Sequence, residues 1–242
     1  MSNIAVYAAV LVISIALSVA AWKIKMLTAD GSLTAAVVLC LIGIFGDFYW
    51  LVMLTVFAVI GFAATKISFS KKKSQGLQEG KHGERTWKNV LGVSFAPAVV
   101  AVANFAVPGY HSVFTIAFLG AVSTAAADTV GSELGVKDGK VWLITSFKRV
   151  KPGTDGGVSM SGTLLSFAAA FAIAFLGWVL FFRDLDILFV IPGFAGFAGC
   201  IMDSVLGATL ESRKLISKYT NNNITELFGA VIAGLAYYIA IF

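Results

Sequence analysis

Charge is what this sequence has least of. Asp, Glu, Lys and Arg make up 13% of its 242 residues, against about 25% in an ordinary soluble domain. That excludes a water-soluble globule, which could not solvate its own surface. Cysteine is almost as scarce. Cys40 and Cys200 each lie within an apolar run, where neither a disulfide nor a metal-type spacing is expected, so both read as packing residues. The two histidines, His82 and His111, sit in polar stretches without companion ligands and receive no role. There is no low-complexity tract, no solenoid period and no stretch polar enough and long enough for a soluble second domain.

What fills the chain is hydrocarbon: 58% of the residues are hydrophobic. Several apolar runs approach or exceed the ~17–20 residues a helix needs to cross a bilayer. The expectation is an all-α fold, a polytopic transmembrane bundle forming a single integral membrane domain over residues 1–242. Eight segments are read at 4–22, 32–46, 48–65, 90–107, 112–129, 161–182, 187–210 and 224–242. The second and third are short and could form a hairpin that does not fully span. The first run, Ile4–Trp22, has no basic residue before it and lysines after it, and is expected to be a retained span.

The net charge of +5 is a matter of position and does not call for nucleic acid. Seventeen of the eighteen Lys and Arg fall in the loops after the first, third, fifth and seventh segments, and Arg183 alone lies on the other side. The positive-inside rule puts those four loops in the cytoplasm and both termini outside. Residues 66–89 are expected to form a mobile basic cytoplasmic loop or a short surface helix, with Lys71, Lys72 and Lys73 as membrane-surface anchors. Residues 130–161 are expected to form the cytoplasmic active-site loop.

The chemistry gathers between Ala125 and Thr163, AAADTVGSELGVKDGKVWLITSFKRVKPGTDGGVSMSGT. Carboxylates that can hold Mg²⁺ (Asp128, Glu133, Asp155), a basic cluster (Lys148, Arg149, Lys151) and a glycine-rich turn (Gly153, Gly156, Gly157) are the parts of phosphoryl or nucleotidyl transfer. Asp128 and Glu133 sit near a helix C-terminus, where the macrodipole opposes negative charge. They need a compensating cation, either a metal ion or an ion pair with Lys148 or Arg149. Asp203 lies deep in the seventh segment, where a charge costs about 2.5–3.5 kcal/mol on insertion scales. It shares a helix face with Gly207 and Glu211. In KPGTDGGVSMSGT the glycines admit an anion nest, and Ser159 or Ser161 can cap the helix that follows. Thr154 and Asp155 lie inside that turn. Asp30 is placed at the N-cap of the second segment, and Arg85 is placed to steer a polyphosphate.

AADTVGSELG, ITSFKRVKPGTDGGVSMSGT, DSVLGATLE and NNNITELFGA, in that order from about Asp30 to Gly234, resemble the successive motifs of the membrane family filed as domain of unknown function 92, which includes plant phytyl-phosphate kinase. The resemblance implies a kinase dependent on CTP or another nucleoside triphosphate, with Mg²⁺, converting an isoprenoid monophosphate to its diphosphate. By position it extends the candidate site to Ser132, Thr154 and Asn223. The mechanism expected from these residues puts Asp128, Glu133 and Asp203 at the metal, with Lys148 beside them and Arg85, Lys151, Asp155 and the Gly153–Ser159 turn at the phosphates. Asn89, Val93, Lys151 and Glu211 depart from the family pattern, which bears on substrate preference. A more distant likeness to dolichol kinases and CDP-diacylglycerol synthases favours CTP. A lipid cytidylyltransferase and a membrane transporter are the alternatives. The partners expected are nucleotide, lipid substrate and bilayer, and not nucleic acid.

The topology makes a direct prediction. With Cys40 and Cys200 replaced, a cysteine at Ser146 is labelled by an impermeant thiol reagent only in inside-out vesicles, and one at Ser112 only from the outside. Labelling of Ser146→Cys from outside overturns the eight-segment arrangement.

Overall fold

The computed structural model describes residues 3–136 and 138–241. Lys137, counted above with the basic residues of the fifth loop, and Phe242, the expected end of the last segment, lie outside the described residues. Among the described residues eight α-helices follow one another: α1 (Asn3–Lys23), α2 (Ala29–Phe45), α3 (Phe48–Ser74), α4 (Trp87–Ala106), α5 (His111–Gly135), α6 (Met160–Phe182), α7 (Val190–Leu206) and α8 (Lys218–Ile241). All but α2 are long and apolar enough to cross a membrane. At 17 residues, α2 reaches about 25 Å at 1.5 Å per residue, somewhat short of a hydrocarbon core about 30 Å thick.

The segment order is the one expected, with the ends moved. Asp30 is not the N-cap of α2: Thr28 is, its Oγ1 accepting from the Gly31 amide at 3.3 Å. Asp30 instead accepts from the Trp87 amide at 3.2 Å and ties α2 to α4. The supposed loop 66–89 is helical as far as Ser74. Lys71, Lys72 and Lys73 complete the last turn of α3, where cations favour the helix dipole. α5 runs six residues past its expected end, and α8 starts six residues before its expected start. Both extensions carry polar side chains that face partners in the protein instead of lipid. Between α5 and α6, β1 (Val141–Leu143), β2 (Arg149–Val150) and β3 (Gly157–Val158) form a small antiparallel sheet in the order β2-β1-β3. The all-α expectation therefore holds for the membrane part, and the 130–161 stretch is helix end, sheet and turn.

Helix α5 is the axis of the bundle, packing on α3, α4, α6, α7 and α8. Its middle, Ile116 to Ala127, is buried throughout, and it is mostly Ala, Gly, Ser and Thr, the small residues that let membrane helices approach closely. A Cβ on Gly120 would stand 2.5 Å from the Gly229 carbonyl oxygen and 2.6 Å from Ala233 Cβ on α8. On one face Thr28 N donates to Arg85 O at 3.0 Å, and Lys218 Nζ reaches Glu79 at 2.9 Å. On the other Asn104 donates to Phe45 O at 3.1 Å and Arg183 to Tyr49 Oη at 2.9 Å. The candidate residues all belong to the first face. Gly120→Val overpacks the α5–α8 crossing and is expected to cost about 1–3 kcal/mol, read as a lower thermal unfolding midpoint in detergent.

Candidate active site

Two cavities of about 300 Å³ each open among the helix ends on that face. The first is polar. Its walls are the C-terminal half of α5 (Asp128, Ser132), the turn Gly153–Ser159, and the end of α7 (Asp203, Ser204, Gly207, Glu211), with Lys72 and Lys218 facing in. The turn is pressed onto the end of α7. Gly156 has a φ of +73° and a Cβ there would run into Ala208, while a Cβ on Gly207 would stand 2.9 Å from the Gly156 amide. Gly153, at φ +84°, also needs its glycine. α7 yields to this contact by closing in a π-turn over Gly207–Glu211, an irregularity often found at functional sites. Among the described residues the amides of Gly153, Asp155 and Gly156 donate no hydrogen bond, which leaves them available to an anion.

The charge lining this cavity is mostly negative. Asp128, Asp155, Asp203 and Glu211 face two ammonium groups, those of Lys72 and Lys218. A bare polyphosphate would meet a net negative wall, whereas a Mg²⁺-complexed one brings its own compensation. Asp128 and Asp203 lie within Coulombic reach of each other. Among the described residues nothing donates a hydrogen bond to the Asp128 carboxylate, and Asp203 has only the Thr225 hydroxyl at 3.4 Å. Two under-coordinated carboxylates are what Mg²⁺ needs when substrate phosphates and water complete its shell. Among the described residues no three His, Cys, Asp or Glu side chains form a ligand set by themselves.

The second cavity is apolar for most of its length, lined from α1 to α4 by residues such as Leu17, Val38, Leu54, Phe57 and Val93. Its inner end carries Arg85, Asn89 and Glu133. Asp128, Ser132, Lys218 and Asn222 line both cavities. A hydrocarbon slot and a polar chamber therefore meet at one carboxylate, one hydroxyl, one ammonium and one amide.

A chain of ion pairs holds this junction. Glu133, 3% exposed, takes Lys72 Nζ at 2.8 Å, Arg85 Nη2 at 2.5 Å and Ser68 Oγ at 2.7 Å. Arg85 also pairs with Glu79, which receives Lys218 at 2.9 Å and Asn89 Nδ2 at 2.8 Å. Burial alone would push the Glu79 carboxyl up, but Lys218 and Arg85 overcome it and hold the group down at about 2.

Of the residues singled out from sequence, the structure brings Asp128, Ser132, Gly153, Thr154, Asp155, Gly156, Gly157, Ser159 and Asp203 to the polar cavity. Glu133 does not join Asp128 and Asp203 as a third metal ligand, since its oxygens are committed to Lys72, Arg85 and Ser68. Lys148 and Lys151 are exposed and line neither cavity. The edge strand β2 begins directly after Lys148 and ends directly before Lys151, which carries both away from the chamber. Asn223 lines neither cavity and its Oδ1 is buried without a partner. Its neighbour Asn222 faces the junction, and Asn221 donates to Asp203 O at 3.1 Å and Glu211 Oε2 at 3.2 Å.

The integral membrane protein family DUF92 matches residues 12–236. The chain belongs to this family. It is 31% identical over 217 residues to an uncharacterized membrane protein of Methanocaldococcus jannaschii, covering 89% of this chain and 87% of that one. It is 30% identical to the chloroplastic protein VTE6 of Arabidopsis thaliana, over 75% of this chain and 56% of that one, and 31% identical to protein PGR of the same plant, over 83% and 77%. No solved structure matches.

Lys72, Glu79, Lys218 and Asn222 were missed from sequence. A signal existed for two of them: Lys218 and Asn222 are spaced i, i+4, which sets them on one face of an apolar helix. None existed for Glu79, whose partners are 6, 10 and 139 residues away. Two outcomes follow for a DUF92 chain built this way. Glu133→Ala leaves Arg85 and Lys72 short of their buried partner and is expected to cost about 3–5 kcal/mol, measured by thermal unfolding in detergent. Glu79 titrates in the folded protein at about 2, below its ordinary 4.5. Its contribution to stability is thus present above pH 4.5 and lost as pH falls towards 2. Glu79→Gln should make the acid limb of the stability–pH curve shallower and leave neutral pH less affected than Glu133→Ala does.

Proposed function

We propose that this protein is a membrane kinase that transfers the terminal phosphoryl group of a Mg²⁺-bound nucleotide to the phosphate of an isoprenoid monophosphate at the cytoplasmic face. The observation that carries the proposal is the meeting of a polar, glycine-walled chamber with a hydrocarbon slot at Asp128, Ser132, Lys218 and Asn222. A water-soluble donor and a lipid acceptor need such a pair of compartments sharing one point. The family supports the same reading, since it includes a plant phytyl-phosphate kinase, and the distant likeness noted above favours CTP as the donor.

In this reading the free amides of the Gly153–Gly156 turn hold the donor phosphates, and the lipid phosphate lies at the inner end of the slot, near Arg85 and Asn89. An oxygen of the lipid phosphate attacks the γ-phosphorus. The bond from that phosphorus to the β–γ bridging oxygen breaks, the nucleoside diphosphate leaves, and the lipid diphosphate forms. A phosphate oxygen is already a nucleophile, so no general base is needed, and catalysis reduces to alignment and charge neutralisation. Lys218 faces both compartments and neutralises charge on the group in transit, while Ser132 and Asn222 fix its orientation by hydrogen bonds. Mg²⁺ supplies further neutralisation on the phosphate oxygens, and Asp128 and Asp203 are the residues that would hold it.

The test is transfer by the purified protein in detergent, with CTP, ATP, GTP and UTP offered in parallel against phytyl, farnesyl and geranylgeranyl monophosphates. The expected products are the lipid diphosphate and a nucleoside diphosphate. Release of pyrophosphate would make the protein a cytidylyltransferase, and no transfer to any acceptor would overturn the reading. Asp128→Asn, Asp203→Asn and Lys218→Met are each expected to lower turnover by roughly 10²-fold or more. Lys148→Ala, outside both cavities, should leave turnover unchanged.

A further inference from the structure

The hydrocarbon slot is not closed on all sides. α1 packs on α2 through small polar residues, with Ser14 and Ser18 buried and Ser32 Oγ donating to Ser18 O at 2.6 Å. That contact holds α1 to α2 and leaves it with hardly any packing on α3. Between the two helices the cavity is bordered by Ala20, Ala21 and Ile24 on one side and Ala58, Val59 and Phe62 on the other. Ile24 is 61% and Val59 57% exposed, so this border opens where the bilayer would be. The three alanines keep it wide. At the far end the slot stops against Val38, Leu39 and Leu54, behind which Val10, Ile42, Trp50 and Leu51 are fully buried.

We infer that a single-chain isoprenoid lipid enters and leaves sideways from the bilayer through the gap between α1 and α3, its phosphate leading to Arg85 and Lys218 and its tail trailing in the gap. The inference rests on the lipid-acceptor reading above. The charge gradient sets the direction, since every cation and hydrogen-bonding amide of the slot is at its inner end. Size sets how the tail is held. A cavity of roughly 150 Å³ takes one benzene ring, so the 300 Å³ here holds about a dozen carbons. A longer chain has to run out through the gap, where lipid receives it.

The experiment reads binding without requiring turnover. The full-length protein in nanodiscs is irradiated with a farnesyl monophosphate analogue bearing a diazirine on its terminal isoprene unit, without nucleotide. Adducts are expected between Leu17 and Ile24, on α1 and the turn after it, and on α3 between Leu54 and Phe62, with loss of labelling when geranylgeranyl monophosphate competes. Adducts confined to α6, α7 or α8 overturn the lateral route. Competition by phosphatidic acid but not by geranylgeranyl monophosphate overturns the single-chain assignment. Because no transfer is needed, the map stays informative even if the kinase assay is negative. A second readout uses Ala21→Trp and Ala58→Trp, which fill the gap from half-buried positions on its border, outside the polar junction. Each is expected to raise KM for geranylgeranyl monophosphate at least tenfold while leaving the nucleotide KM unchanged. An unchanged lipid KM in both variants would falsify the gap as the entrance.

Discussion

A carboxylate held at a membrane boundary needs cations beside it, and the arrangement of this protein follows from how Glu133 obtains them. Its two oxygens collect Lys72 from the end of α3, Arg85 from the approach to α4, and the Ser68 hydroxyl. This clamp draws α3 and α4 onto α5 at one face. α3 and α4 hardly touch elsewhere, so below the clamp the space between them stays open as a hydrocarbon slot. Arg85 passes the constraint to Glu79, and Glu79 passes it to Lys218 at the start of α8. A Lys-Glu-Arg-Glu-Lys chain thus decides where the slot ends and where the ammonium of Lys218 stands. Such buried networks cost desolvation and give uncertain net stability; here the return is geometric.

The second constraint is backbone contact. α5 can stand at the centre of the bundle only because its buried face is made of small residues, and the Gly153–Gly157 turn can close the polar chamber only because Gly156 and Gly207 let two backbones meet. The π-turn at Gly207–Glu211 is the adjustment α7 makes at that contact. The outcome is a chamber with four carboxylates, two ammonium groups and unpaired amides, set against a slot with almost no polar group except at its inner end. The phosphoryl transfer proposed above, between a Mg²⁺-nucleotide and a lipid phosphate, would use both halves of that design.

The membrane class, the segment order and most of the polar chamber were legible in the sequence because each is a local signal. Long apolar runs, loop charge, an acidic residue deep in α7 and a glycine-rich turn are read within a few residues of themselves. What stayed hidden is what tertiary pairing decides. Glu133 looks like a metal ligand until Lys72 and Arg85 arrive from other elements. Lys148 looks like part of the nest until the β-sheet turns it outward. The ends of α3 and α5 and the start of α8 could not be placed from hydropathy, because their polar turns find partners within the protein, Lys72 with Glu133 and Lys218 with Glu79.

The central claim is that donor and acceptor phosphates meet at the Asp128–Lys218 junction, and it can be measured without chemistry. The protein in detergent is loaded with a non-hydrolysable nucleotide carrying Mn²⁺ in place of Mg²⁺ and with geranylgeranyl monophosphate, and the ³¹P resonance of the lipid phosphate is followed. The account predicts strong paramagnetic broadening of that resonance in the wild type and its loss in Asp128→Asn with lipid still bound. Simultaneous binding of nucleotide and lipid with an unbroadened lipid phosphate would contradict it.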